Sequence, residues 1–227
     1  MEESMFKPYT LEEGRFLVKL ARKAVATYIE TGKMISPPEN TPPKLLTDKY
    51  GVFTTIEVFN PRGRNELRGC IGFPRGYKNV VTAVIQSAIA AATEDPRFPP
   101  MALEELKKTV FEVSILSPIE LIKAEKPVDY TNLVKVGVHG LVIEKGFFTG
   151  LLLPQVPVEY MWSTEEFLSQ TCMKAWLPPD CWFEEDTKIY RFQAQLFKEV
   201  EPGGEVIERN LLRELEEKQK KLGGKIH

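Results

Sequence analysis

Tyr50-Gly51-Val52-Phe53-Thr54-Thr55-Ile56-Glu57-Val58-Phe59, then Asn60-Pro61-Arg62-Gly63-Arg64-Asn65, then Leu67-Arg68-Gly69-Cys70-Ile71-Gly72, is the stretch whose reading decides the fold. Val52, Thr54, Ile56 and Val58 alternate with Phe53, Thr55, Glu57 and Phe59, which is the period of a strand. The turn-forming residues after Phe59 reverse the chain, so the cysteine segment returns as the second arm of a hairpin. Alternate side chains of an extended segment share a face. Arg68 and Cys70 are therefore expected to project together, while Gly69 and Gly72 leave room for close backbone approach. A cation beside a thiol favours the thiolate and lowers its pKa from the free value of about 8.5. Cys70 is thus a candidate nucleophile, with Arg68 as the anchor for an anionic group. The competing reading is packing, because unpaired cysteines rank among the most buried residue types.

Outward from this hairpin the pattern repeats. A helix is expected from Asn79 to Ala92, apolar almost all round and hence buried, and a strand from Thr109 to Ser117 with Phe111, Val113 and Ile115 inward. Val136 to Glu144 and Phe147 to Leu153, joined by Lys145-Gly146, form a second hairpin. Ser163 and Glu166 cap a helix carrying Phe167, Leu168, Thr171, Cys172 and Ala175, and Ile189 to Val200 is the closing strand. The order hairpin, helix, strand occurs twice, which points to two similar halves. Before them, Thr10 and Glu13 open a helix with Phe16, Leu17, Leu20, Ala21, Ala24, Val25 and Tyr28 on one stripe. Gly32 stops it, and the proline-rich run Ser36 to Pro43 is a surface connection. After Pro202-Gly203-Gly204 a charged helix presents Ile207, Leu211, Leu212 and Leu215 along one side.

Composition narrows the classes. A hydrophobic content of 43% over 227 residues supports a real core, and 30 basic against 32 acidic residues leave a net charge of -2. That balance argues against wholesale binding to nucleic acid or an anionic membrane. The apolar run near Val80 to Ala92 falls short of the ~20 residues of a membrane span. Met1-Glu2-Glu3-Ser4 is acidic where a secretory signal is basic, so a cytoplasmic protein is expected. Three cysteines without a Cys-x-x-Cys pair, and two histidines, argue against structural zinc, and no nucleotide fingerprint is read, so no cofactor is expected. Cys172, on an apolar stripe, is expected to be structural and not bridged to Cys181.

His139, flanked by Gly137 and Gly140, is a candidate partner for Cys70 in a thiolate-imidazolium pair, and equally a structural histidine. Asp95, Glu112 and Glu159, with Glu57 behind them, are candidate acid-base or orienting carboxylates, Glu112 foremost because it shares the less apolar face of its strand with Ser114. Asp95 also reads as a loop cap before Pro96, and Arg97 as its salt-bridge partner. A second feature is the run Arg62, Arg64, Arg68, Arg75 and Lys78 against the single acid Glu66, interleaved with Phe73 and Tyr77. It suits phosphate or single-stranded RNA, or else a solvated turn.

Leu67-Arg68-Gly69-Cys70-Ile71-Gly72, Asp95-Pro96-Arg97-Phe98, Val136-Gly137-Val138-His139-Gly140-Leu141 and Leu152-Leu153-Pro154-Gln155-Val156 occur in an order that resembles the AMMECR-one domain family. That family is named after the chromosomal region of Alport syndrome with intellectual disability, midface hypoplasia and elliptocytosis. The resemblance runs from about Leu11 to Val200. It implies an α+β fold whose antiparallel sheet is built from two similar hairpin-helix-strand halves with packed helices, as one domain of two packed lobes over residues 1–200, followed by a charged helix and tail over 201–227. It carries no established reaction, and it implies partners of Memo type and of radical S-adenosylmethionine type. With the residue reading, it makes Arg68, Gly69, Gly72, Asp95, Arg97, Gln155 and Glu159 candidate substrate-binding residues beside Cys70, His139 and Glu112. One departure is Trp176, where the resemblance implies glycine. Three functions stay open: a thiol-dependent enzyme acting on a small anionic or acyl-like substrate, a module binding RNA or an anionic ligand, and a non-catalytic interaction module.

Overall fold

Strand β1 (Gly51–Val58) is the organising element of the first half in the computed structural model, which describes residues 4–223. Ahead of it lie α1 (Leu11–Thr31) and α2 (Pro43–Thr47); after it come β2 (Glu66–Phe73), α3 (Val80–Thr93) and β3 (Thr109–Leu116). The second half contains β4 (Glu120–Leu121), α4 (Tyr130–Leu133), β5 (His139–Lys145), β6 (Phe148–Leu152), α5 (Gln155–Tyr160), α6 (Thr164–Lys174) and β7 (Lys188–Glu199), and β8 (Val206–Glu208) and α7 (Leu211–Gly223) follow. The chain groups into two units. One comprises Lys7–Ser117 with Gln195–Arg209, the other Pro118–Ala194 with the segment from Asn210 and the N-terminal residues to Phe6.

Within the first unit the strands run β2-β1-β3-β7, with β8 on the far end of β7. Helix α1 opens on the expected Thr10–Glu13 capping box and ends at Gly32, whose φ of 68° is the left-handed form glycine adopts freely. Its Leu17, Val18, Ala21, Ala24 and Val25 are fully buried, and it packs with α3. Asn79 caps α3, which lies against β1 and β2 and whose Ser87 hydroxyl meets Thr54 at 2.7 Å. Arg22 of α1 clamps Glu199 through Nε and Nη2 at 2.7 and 2.5 Å and donates to the carbonyls of Leu106 and Thr109. Glu199 also accepts the Phe111 N–H, so this buried carboxylate is fully hydrogen-bonded.

The second unit repeats the plan. Strand β5 pairs with β6 on one side and β7 on the other, as β1 pairs with β2 and β3. Its core gathers Leu141, Ile143, Phe167, Leu168, Trp182 and Ile189, each large side chain contributing roughly 1.5–3 kcal/mol on burial. The register aligns the halves residue by residue, which element order alone does not. Ile56 lies between Gly69 and Phe111, and Ile143 lies between Gly150 and Ile189. Both glycines abut a helix end: a Cβ on Gly69 would sit 2.0 Å from the Ala91 carbonyl oxygen, and one on Gly150 2.5 Å from the Ala175 nitrogen.

Several expectations need correction. Residues Val136 to Val138 are not strand: a turn in which Val138 and His139 both donate to the Lys135 carbonyl delays β5 to His139. Ile207 belongs to β8, so α7 begins only at Leu211; it docks on its own chain, Lys218 Nζ reaching the Val158 carbonyl. Trp176 takes the left-handed C-terminal position of α6 (φ 62°), with Leu177 N–H returning to the Cys172 carbonyl. Glycine is the ordinary occupant there, and a tryptophan bears a strain of about 1–2 kcal/mol. Most directly, Cys172 is bridged to Cys181, at a Cα–Cα distance of 5.9 Å. The expectation that Cys172 is not bridged to Cys181 fails because the short turn at Cys181–Phe183 brings Cys181 into the same apolar cluster as Cys172. Cysteine usage therefore gives no argument for a reducing compartment.

Two outcomes follow. Thiol titration of the unfolded protein without reductant should count one free thiol, Cys70, and reduction should cost about 2–3 kcal/mol for a loop of this length; three free thiols would contradict the bridge. Gly69→Ala and Gly150→Ala should each destabilise by about 2 kcal/mol or more in urea unfolding, since backbone faces the added methyl; a neutral effect would refute the close approach.

Candidate functional site

Cys70 sits on the edge strand of the first unit, where the pleat alone does not decide its neighbours. A bulge between Ile56 and Glu57 sets Gly69 against Ile56 but Leu67 against Glu57, leaving Arg68 as the extra residue. Alternation does not carry across a bulge, so the expected pairing of Arg68 with Cys70 is not found. Arg68 is buried, with Nε and Nη2 on Glu105 at 2.7 and 3.1 Å and Nη2 also on the Pro99 carbonyl at 2.9 Å. Its guanidinium lies 5.7 Å from the Phe98 ring centre. It fastens β2 to the segment after α3, and it holds the Glu105 carboxyl below its ordinary pKa.

The cation that acts on Cys70 is Arg97. As β2 is an edge, the Cys70 N–H has no strand to pair with, and it donates instead to Asp95 Oδ2 at 2.9 Å. Asp95 is 3% exposed and also accepts Arg97 N at 3.1 Å, Nε at 2.9 Å and Nη2 at 2.6 Å. Burial opposes its ionisation, but the hydrogen bonds from the Arg97 side chain and the two backbone N–H groups prevail and bring its pKa to about 2. Asp95 is thus the loop cap and Arg97 its ion-pair partner, as one reading of the sequence had it. The Arg97 side chain keeps 45% exposure, and its Nη1 forms no hydrogen bond among the described residues.

Burial works against activation of the thiol. Burial pushes Cys70 up to about 11, against the lowering effects of the Thr55 hydroxyl, which donates to Sγ at 3.3 Å, and of Arg97. Glu112 and Asp95 add small raising effects. Thr55 stands between Cys70 and Glu112 in the register, so the three form one row across β2, β1 and β3. Glu112 is buried and paired with Arg209 Nη1 at 2.6 Å; Glu57 is paired with Lys198 and accepts Asn65 Nδ2 at 3.1 Å. Thr55 and Arg209 were missed as candidates. Thr55 was legible only with the bulge in place, and Arg209 lay in a stretch read as tail.

The equivalent row of the second unit is Leu151, Val142 and Tyr190. The sheet position thus accepts apolar side chains, and the polar Cys70-Thr55-Glu112 row is not something the topology demands. Gly69, by contrast, is accounted for by packing, and Gly72 by the Phe53 ring that covers it. His139, Gln155 and Glu159 belong to the second unit. His139 is buried, and its Nδ1 accepts the Lys135 N–H at 3.0 Å. Gln155 is buried at the start of α5, and the Glu159 carbonyl faces Lys218 Nζ. Among the described residues no three His, Cys, Asp or Glu are grouped to hold a metal, and no helix is long and apolar enough to cross a membrane.

The basic run of the sequence is divided in space. Arg62 and Arg64 lie in the turn before β2, and Arg75 and Lys78 lie beyond its other end; eight residues of strand at about 3.3 Å each separate them by roughly 25 Å.

Comparison with known proteins matches most of the chain. A protein of Caldivirga maquilingensis is 58% identical over 211 residues, covering 93% of this chain and 96% of that one. One of Pyrobaculum arsenaticum is 59% identical over 211 residues, covering 93% and 98%. The crystal structure of protein PH0010 from Pyrococcus horikoshii superimposes with a TM-score of 0.84 at 52% identity, covering 88% of this chain and 97% of that one. The AMMECR1 family model matches residues 18–197, and the chain belongs to the AMMECR1 family.

Proposed function

We propose that this protein binds a small anionic ligand, a carboxylate or a phosphate, on the Arg97 guanidinium, with the Cys70 thiol beside it in the protonated form. The observation that carries this is the Asp95 clamp. It fixes Arg97 through Nε and Nη2, leaves Nη1 outside the clamp, and leaves nearly half of the side chain exposed near the thiol. A planar guanidinium held in advance loses little freedom on binding an oxyanion. A neutral thiol can offer a proton or a hydrogen bond to such a ligand without repelling it.

A thiol-dependent enzyme at the same place is the second reading, favoured by Thr55 and Arg97, both of which stabilise the thiolate. Burial, however, raises the pKa to about 11 and disfavours the thiolate at pH 7, so this route asks for a substrate that changes the environment. An RNA track along the basic run is weakened by the division of that run. Partners of Memo and radical S-adenosylmethionine type remain a proposal, on which anion binding does not depend.

Thermal unfolding with rising phosphate or malonate should show saturable stabilisation of the wild type and none of Arg97→Gln; equal responses would overturn anion binding. The rate of Cys70 alkylation by iodoacetamide should climb with a midpoint well above 8.5, approaching 11. Arg97→Gln should move it further up, because the attraction that favours the thiolate is gone, whereas Arg68→Gln should leave it in place. A wild-type midpoint below 8.5 would establish the nucleophile instead.

A further inference from the structure

The two edge strands, β2 and β6, are finished differently. On β2 the outward N–H of Cys70 is taken by Asp95, from the segment that follows α3. Leu151 is its equivalent on β6, pairing Val142 as Cys70 pairs Thr55. Lys145 and Phe148 close the two-residue turn Gly146-Phe147, so Phe148, Gly150 and Leu152 bond to β5. The N–H and C=O groups of Thr149 and Leu151 then point off the edge, and among the described residues nothing bonds to them. The segment that follows α6 supplies no counterpart of Asp95. Edges are ordinarily guarded by a charge, a proline or a bulge. Phe148-Thr149-Gly150-Leu151-Leu152 carries neither charge nor proline, and its register with β5 is unbroken.

The rim beside this open edge is apolar. Helix α6 ends over Gly150, where a Cβ would lie 2.5 Å from the Ala175 nitrogen and 2.8 Å from the Thr171 carbonyl oxygen. Phe148 shares the face of Gly150, two residues or roughly 7 Å along the strand. Phe148, Met173 and Trp176 are 51%, 52% and 88% exposed. Trp176 holds a left-handed backbone for a ring that packs on almost nothing in its own chain, so internal packing does not account for it. Lys174, next to it in sequence, is exposed and makes no ion pair or hydrogen bond among the described residues.

A second copy of β6 does not fit this edge. Antiparallel two-fold pairing sets strands about 4.8 Å apart and would bring the two copies of α6 to about that separation, whereas packed helices stand about 8–10 Å apart. A lone extended segment brings no helix with it. We infer that the β6 edge takes up an extended segment of a partner protein as a further antiparallel strand. Thr149 and Leu151 give it four main-chain hydrogen bonds, Trp176 packs on an apolar side chain opposite Gly150, and Lys174 receives an acidic one. The anion site at Arg97 lies in the other unit and plays no part in this.

Nitrogen-15 NMR titration of the full chain tests it, the probe being a synthetic heptapeptide of glutamate, threonine, valine, leucine, valine, threonine and glutamate. Saturable shifts are expected at the Thr149 and Leu151 amides, with Cys70 unmoved. Methylating the two valine nitrogens should weaken binding at least tenfold, and lysines in place of the glutamates at least threefold. Thr149→Pro, which removes an outward N–H and no ladder bond, and Trp176→Gly should each weaken it at least fivefold. Glycine suits the left-handed position, so Trp176→Gly should also melt no lower than the wild type, which separates lost docking from lost fold. The inference is overturned by absence of saturable shifts at Thr149 and Leu151, by equal binding of the methylated or the lysine-ended peptide, or by undiminished affinity in Trp176→Gly. Concentration-dependent dimerisation abolished by Thr149→Pro would overturn it too, in favour of a second copy.

Discussion

The approach of Gly69 to the Ala91 carbonyl is the constraint on which the first unit depends. With only a hydrogen at Gly69, strand β2 and the end of α3 come close enough that the residues just past the helix reach the outer edge of the strand. Asp95 then satisfies the Cys70 N–H, and Arg97, bound to the same carboxylate, is brought beside the thiol. Arg68 fastens the same segment from the other side through Glu105 and Pro99. The second unit uses the same device, Gly150 against the end of α6, so the contact belongs to the fold and not to one site.

This separates structure from chemistry within Leu67 to Gly72. Gly69 and Gly72 are explained by what they pack against, and Arg68 by its bonds to Glu105 and Pro99 except for a buried Nη1 left without a hydrogen-bond partner, while Cys70 is not, since Leu151 occupies its equivalent in the second unit. What distinguishes Cys70 is its polar company of Thr55, Asp95 and Arg97, with the Glu112–Arg209 pair near by. On the reading proposed above, the site offers an oxyanion a fixed guanidinium and a protonated thiol, which is a different proposition from a resting thiolate.

The elements were legible because their periods and caps are local. Thr10 with Glu13, Asn79, and Ser163 with Glu166 mark helix starts, and the alternation around β1 marks a strand. The site was less so, for reasons of register and distance in sequence. Counting symmetrically from the hairpin turn would set Thr55 against Gly69; the bulge shifts it to Cys70, and no residue near Leu67 announces that shift. The partners of Arg68 and Glu112 lie 37 and 97 residues away, beyond the reach of local pattern. Cys172 was read correctly as buried, yet burial did not reveal Cys181 beside it. The left-handed turn at Trp176 fits the glycine that the resemblance implied there, although tryptophan fills it.

Amide hydrogen exchange at Cys70 tests the central chain of contacts most directly. The account predicts that this edge-strand N–H is protected in the wild type and becomes exposed in Asp95→Ala, while the N–H groups shared between β1 and β2 keep their protection. Exchange at an unprotected rate in the wild type, or protection unchanged in Asp95→Ala, would contradict it.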